Sequence, residues 1–186
     1  MAAQSTRDRI LSVAKDLFYR EGIRNVGIDA IVKRAGITKP TLYYYFPSKD
    51  ALVVAYLELR EAAILASLKK TMDAAGDDVV DKIGAVFASV ARETPNPRWK
   101  GCPLVRSAAE FAGDSQHMVR KLASTHKKRV EEWFEAAVRE AGLTDAPLKA
   151  RQLTVLLDGA ITHAFVHGDP DYALAAGAAV RAILKA

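Results

Sequence analysis

Nineteen residues, Ile28 to Phe46 (IDAIVKRAGITKPTLYYYF), leave this chain few choices of local structure. Ile28, Ile31, Val32 and Ala35 recur at i, i+3, i+4 and i+7, the repeat of one helical face, with Asp29, Lys33 and Arg34 on the other side. Gly36 follows at once. Glycine adopts a positive φ without a Cβ clash, which a tight turn between two helices requires. A second helix is predicted after Thr38, whose hydroxyl caps it, with Pro40 in the first turn where a missing N–H costs nothing. Ile37, Leu42 and Phe46 then face inward. The pattern is that of a helix-turn-helix, and it assigns Thr38, Lys39, Thr41, Tyr43, Tyr44 and Tyr45 to the outer surface.

A helix offering hydroxyls and a lysine suits double-stranded DNA. The major groove admits one helix, and phosphate oxygens accept hydrogen bonds from Thr, Tyr and Lys. The other reading of these residues is a small helical hairpin with three half-buried tyrosines. Charge placement favours DNA: residues 1–50 hold 9 Lys+Arg against 5 Asp+Glu, whereas residues 51–186 hold 18 against 17. The basic excess lies with the helix-turn-helix, as expected for a polyanionic partner. No apolar run approaches the ~20 residues that span a bilayer, and the N-terminus lacks a signal pattern. The single cysteine, Cys102, forbids an intrachain disulfide and fits a reducing compartment. A cytoplasmic protein with no membrane partner is expected.

The flanks extend the pattern. Ser5 and Asp8 form a capping box, and Ile10, Val13, Ala14, Leu17 and Phe18 share one face of a helix predicted over Thr6–Glu21, which Gly22 ends. After the motif, Ser48 is the N-cap of a long helix reaching about Ala75, striped by Leu52, Tyr56, Leu59, Ala63 and Ala66. Lys49 lies in its first turn, where free N–H groups and a cation together suit a phosphate. The run from Gly22 to Leu52, GIRNVGIDAIVKRAGITKPTLYYYFPSKDAL, resembles the DNA-binding head of the tetracycline-repressor (TetR) family of bacterial transcriptional regulators. Its most specific part is AG-x-x-x-x-TLYYYFPSKDAL, from Ala35. Two positions depart from the family pattern. Val32 stands where a small alanine is usual at the helix crossing, and Gly27 replaces a capping Thr or Ser that touches phosphate. The resemblance implies that Tyr43 and Lys49 hold phosphates, that Lys39, Thr41 and Tyr44 meet base edges, and that Gly27, Thr38 and Pro40 belong to the same contact.

Beyond the head, Asp77 or Asp78 is expected to cap a helix carrying Val79, Ile83, Val86, Phe87 and Val90. TPNPRWKGCP, Thr94 to Pro103, holds three prolines and a glycine and reads as a loop. A short helix over Leu104–Phe111 and a long one over Ser115–Ala141 follow, the latter with Met118, Leu122, Val130, Trp133, Phe134 and Ala137 inward and Gly142 at its end. Asp145 with Pro147, and Asp169 with Pro170, mark two further helix starts. No strand pattern of useful length appears, so the expected fold is all-α. An N-terminal three-helix head over residues 1–47 is joined by the long helix to a C-terminal helical ligand-binding and dimerisation bundle over 48–186.

The last two helices are apolar on several sides and need cover on several sides. Leu153, Leu157, Ala160, Ile161 and Ala164 form one stripe; Ala173, Gly177, Val180 and Leu184 form another. The rest of the chain is one possible cover. Two such helices together favour a homodimer in which each pair packs on its twin as a four-helix bundle, and the family resemblance implies the same.

Chemistry-bearing groups are sparse. No nucleophile, base and orienter stand out together and no glycine-rich phosphate loop is present, so an enzyme is not expected and no cofactor is assigned. His163 and His167, with Asp169 nearby, have a metal-chelating spacing without a third clear ligand, and no metal is assigned. Cys102 lies near Lys100 and Arg106, which allows a redox-sensitive thiol, while small buried cysteine is the commoner role. The stretch around it, KGCPLVRSAAEF, resembles a segment that in one branch of the family lies over the ligand cavity. Cys102, Phe87, Phe111, His117, Trp133 and Phe165 are the candidates for lining such a cavity, with the core as the alternative place for each aromatic. The expectation is a dimeric repressor released from a palindromic operator by a small, mostly apolar effector. A DNA-packaging protein without effector and an enzyme that borrowed the head are the other classes; preference for a palindrome and turnover separate them.

Overall fold

The computed structural model describes residues 5–185. Among these the chain forms nine helices and no strand: α1 (Thr6–Glu21), α2 (Ile28–Ala35), α3 (Lys39–Tyr45), α4 (Lys49–Asp73), α5 (Val79–Glu93), α6 (Pro103–Glu110), α7 (Met118–Glu140), α8 (Ala146–His167) and α9 (Asp171–Lys185). Local chemistry accounts for most of the starts. The Ser5 hydroxyl accepts from Asp8 N at 3.1 Å, Ser48 accepts from Ala51 N at 3.0 Å, and Asp78, not Asp77, caps α5 by accepting from Val80 N and Asp81 N. Asp145 departs from the expectation: it adopts φ +53° and makes no side-chain cap, so α8 begins from a left-handed aspartate followed by Ala146 and Pro147. α7 starts at Met118, later than Ser115, because residues 111–117 are taken up by turns in which Asp114 accepts from Gln116 N.

The chain divides into two compact units. The first comprises residues up to Ala62 together with Pro103–Ala123, and the second comprises Ala63–Cys102 and 124–186. The division falls inside α4 and inside α7. The first unit buries Ile10, Leu17, Phe18, Ile31, Leu42, Phe46, Leu52 and Tyr56, with the Phe18 and Tyr56 rings 5.5 Å apart. Burial of each such side chain contributes roughly 1.5–3 kcal/mol. α6 joins this unit through polar contacts that no local pattern announces. The Glu110 carboxylate accepts from Ile23 N at 3.0 Å and Arg24 N at 2.8 Å, and Arg106 donates to the Tyr19 carbonyl at 3.0 Å. Gly22, which ends α1, adopts φ +89° and ψ 155°; a Cβ there would stand 3.1 Å from a Glu110 oxygen.

The second unit is a bundle in which α9 packs against both α5 and α8. Its core holds Ile83, Val86 and Phe87 of α5, Val130, Phe134 and Val138 of α7, and one face of each of the last two helices. Lys149 is buried in α8, and its ammonium donates to the Leu184 carbonyl at 3.2 Å, satisfying an end of α9.

Candidate nucleic-acid interface

The helix-turn-helix has the geometry its sequence requires. Gly36 adopts φ +62° and ψ 45°, its N–H bonds the Lys33 carbonyl, and Ile37 N bonds the Val32 carbonyl, closing α2 in a left-handed cap. Thr38 then starts α3: its hydroxyl accepts from Thr41 N at 3.3 Å and lies 2.8 Å from the Thr41 hydroxyl. Leu42 and Phe46 are buried, which holds the opposite side of α3 outward.

That outward side carries the predicted residues. Tyr44 is 82% exposed, Tyr43 45% and Tyr45 36%, values far above those of core aromatics. Lys39 and Pro40 are exposed, Thr41 is half-buried, and Gly27 is exposed at the N-cap of α2 with no side-chain cap bond. Lys49 is half-buried in the first turn of α4, where burial pushes its ammonium below the usual lysine range against the opposing pull of Asp50 and Glu110. The three-tyrosine hairpin packed into a core is therefore not what forms. The residues assigned to a DNA contact lie on α3 and at the first turns of α2 and α4, all within the first compact unit. One member of this surface was missed: Asp29 of α2, whose carboxylate pairs with the Lys39 ammonium at 2.7 Å.

Residues 10–56 match the model of bacterial regulatory proteins of the tetR family, and residues 115–186 match the tetracyclin-repressor-like C-terminal domain. The chain belongs to the tetR family. It is a DNA-binding transcriptional regulator of that family. A putative tetR-family transcriptional regulator from Streptomyces avermitilis is 30% identical, with 98% of this chain and 97% of that one aligned at a TM-score of 0.84. The transcriptional regulator AcrR of Shigella flexneri is 26% identical over 165 residues, which are 86% of this chain and 76% of that protein. The family regulator CifR, solved with a 26 bp double-strand operator, has the same fold at 23% identity and a TM-score of 0.79, covering 100% of this chain and 98% of that one.

Within this tetR-family fold the remaining predicted residues take the following places. Leu153, Leu157, Ala160 and Ala164 of α8, with Ala173, Val180 and Leu184 of α9, are buried in the single chain's own core. Ile161 packs against that core, and Gly177 faces Phe87, whose Cβ would lie 3.1 Å from an added Cβ. Seven of these nine residues are thus buried within the chain, and Ile161 and Gly177 are half-buried. The most exposed apolar residues of the same helices lie on other sides: Leu148 (59%), Val155 (68%) and Val166 (65%) on α8, and Leu174 (50%) on α9. Both helices are apolar on two sides, and the side carrying the two predicted stripes is the one that packs inward.

Of the six cavity candidates, two lie in the first unit and four in the second. Phe111 and His117 lie in the first unit, their rings stacked at 3.8 Å, with the Arg24 guanidinium 4.9 Å from the Phe111 ring. Phe87 is fully buried packing, and Phe165 is 44% exposed beside Trp99. Cys102 is a half-buried free thiol. Trp133 lines a cavity of about 320 Å³ in the second unit, with Met72, Val79 and Ala137 as its apolar wall and Lys69, Asp73, Asp77, Lys82 and Glu140 as its polar one. His163, His167 and Tyr172 form a stack of rings with centroids 4.7–5.8 Å apart. The titratable group that sequence reasoning missed is His126 of α7, buried to 1% exposure and pushed down to about 4 by that burial and by the charges of Lys127 and Arg129.

Proposed function

We propose that the protein is a homodimeric repressor that binds a palindromic operator through α3 and leaves it when a small, mostly apolar ligand enters the C-terminal domain. The observation that carries the reading is the α3 surface: exposed tyrosines and a lysine on a helix whose other side is locked into a core. In this reading Tyr43 and Lys49 hold phosphates, as Gly27 does through its N–H. Lys39, Thr41 and Tyr44 meet base edges, with Thr38 and Pro40 shaping the start of the helix. Residues 1–47 then act as the reading head, and 48–186 sense the ligand and dimerise.

The dimer contact is the exposed apolar side of α8 and α9, through Leu148, Val155, Val166 and Leu174. A twofold axis through this side gives two α3 helices, and so half-sites one DNA turn (roughly 34–36 Å) or a multiple of it apart. α4 and α7 each run through both compact units, so a ligand that shifts either helix in the bundle acts on the head as well. The ligand acts only through its preference for one state; reversing a 99:1 population takes about 5.5 kcal/mol of differential binding. Burial of several apolar groups supplies that, at ~1.5–3 kcal/mol each.

Selection of bound duplexes from a randomised pool tests the reading. A palindromic consensus bound by a dimer supports it. Uniform recovery of the pool, with no preferred sequence, refutes it in favour of a packaging protein.

A further inference from the structure

Asp29 and Lys39 open two different helices, α2 and α3, and the turn at Gly36 brings their side chains together at 2.7 Å. Both remain exposed, at 77% and 56% of the side chain, on the surface that carries Tyr43 and Tyr44. The hydrogen bond and charge of Asp29 hold the Lys39 ammonium above the usual lysine range. The neighbouring hydroxyls of α3 are likewise committed, Thr38 to Thr41. A carboxylate at a surface that meets a polyanion weakens binding by like-charge repulsion. Its presence there calls for a compensating role, and the pair itself indicates one.

A lysine ammonium is a point charge on a four-carbon stem with three rotatable donors. Left free beside a duplex, it settles on a phosphate, because phosphates are the strongest and the sequence-independent attraction. Paired with Asp29, the ammonium is held at the N-terminal end of α3, and the pair carries no net charge to draw it to the backbone. Two N–H donors stay open, enough for the O6 and N7 acceptors that guanine presents in the major groove. We propose that Asp29 is a specificity-positioning residue, which keeps Lys39 off the phosphates and aims it at base edges. The inference rests on the DNA-binding reading of α3.

Salt dependence tests it, because each phosphate contact steepens log K against log salt by about 0.9 on duplex DNA. On a duplex of random sequence, Asp29→Asn is expected to steepen that slope by about one phosphate contact. Against the operator chosen from the randomised pool, it should lower the preference for operator over random duplex on the order of tenfold, the share of one good base contact. In a Lys39→Gln background the same change should leave the slope where it was, and Asp29→Glu, which keeps the pair, should behave as wild type.

Lys39→Gln alone gives a second test that does not depend on how Asp29→Asn folds. It should reduce operator preference and leave the random-duplex slope unchanged. If Lys39→Gln flattens that slope by about one contact, Lys39 is a phosphate anchor and the proposal falls. It falls too if Asp29→Asn steepens the slope equally in both backgrounds, since the effect is then one of general charge. A wild-type protein that binds no duplex overturns the DNA-binding reading, and this inference with it.

Discussion

Acid should weaken the C-terminal unit through one residue, His126. Its imidazole is 1% exposed on α7, and burial, helped by the charges of Lys127 and Arg129, pushes it from 6.5 down to about 4. In the unfolded chain the same group takes up a proton near pH 6.5. Between these values the unfolded state binds more protons than the native state, so stability rises with pH across the window. The full stability is present above about pH 6.5 and is lost progressively as pH falls toward 4. Each tenfold change in proton affinity is worth about 1.4 kcal/mol, so moving from pH 7 to 4.5 should remove about 2 kcal/mol through this group alone. His126→Gln keeps a polar side chain of similar size and cannot titrate. Urea unfolding of both proteins at the two pH values isolates the histidine's contribution, because carboxylates contribute equally to each. The wild type should lose about 2 kcal/mol more than the variant. Equal losses would show that the native core protonates His126 as readily as water does, and the acid sensitivity would then have another source.

Gly177→Ala should destabilise the fold by up to about 2 kcal/mol, because its Cβ would stand 3.1 Å from the Cβ of fully buried Phe87, an overpacking cost that alanine's helix preference of roughly 0.5–1 kcal/mol offsets in part; chemical denaturation measures it. Gly177→Arg should therefore unfold the bundle, whereas a surface glycine would merely weaken association, and circular dichroism separates the two. Val155→Glu with Val166→Glu should convert a dimer to a folded monomer, because both side chains are about two-thirds exposed in the single chain, at 68% and 65%; sedimentation with retained helicity is the expected result, and an unchanged dimer would remove this face from the interface. Lys49→Ala should weaken binding to all duplexes alike and flatten the salt slope by about one contact, read by titration at several salt concentrations; a changed site preference with an intact slope would reassign Lys49 to base reading.

Features set by neighbours three or four residues apart are legible in the chain before it folds. The Ser5, Thr38 and Ser48 caps, the left-handed turn at Gly36 and the outward side of α3 all follow from such short-range geometry, whereas the choice of Asp78 over Asp77 came from the fold. Their chemistry is local, so residue type and spacing specify it. The tertiary structure alone decided which side of α8 and α9 turned inward. With two apolar sides on each helix, periodicity offers two equivalent answers, and only the packing of Gly177 on Phe87 and of Val180 and Leu184 into the core separates them. It also decided the groups whose partners lie far off in sequence. Glu110 bonds amides 86 and 87 residues away, Lys149 reaches Leu184, and Asp29 meets Lys39 only because the turn between them folds back. No spacing rule marks such pairs, since a side chain's charge shows that it needs a partner and only the folded backbone shows which one is within reach.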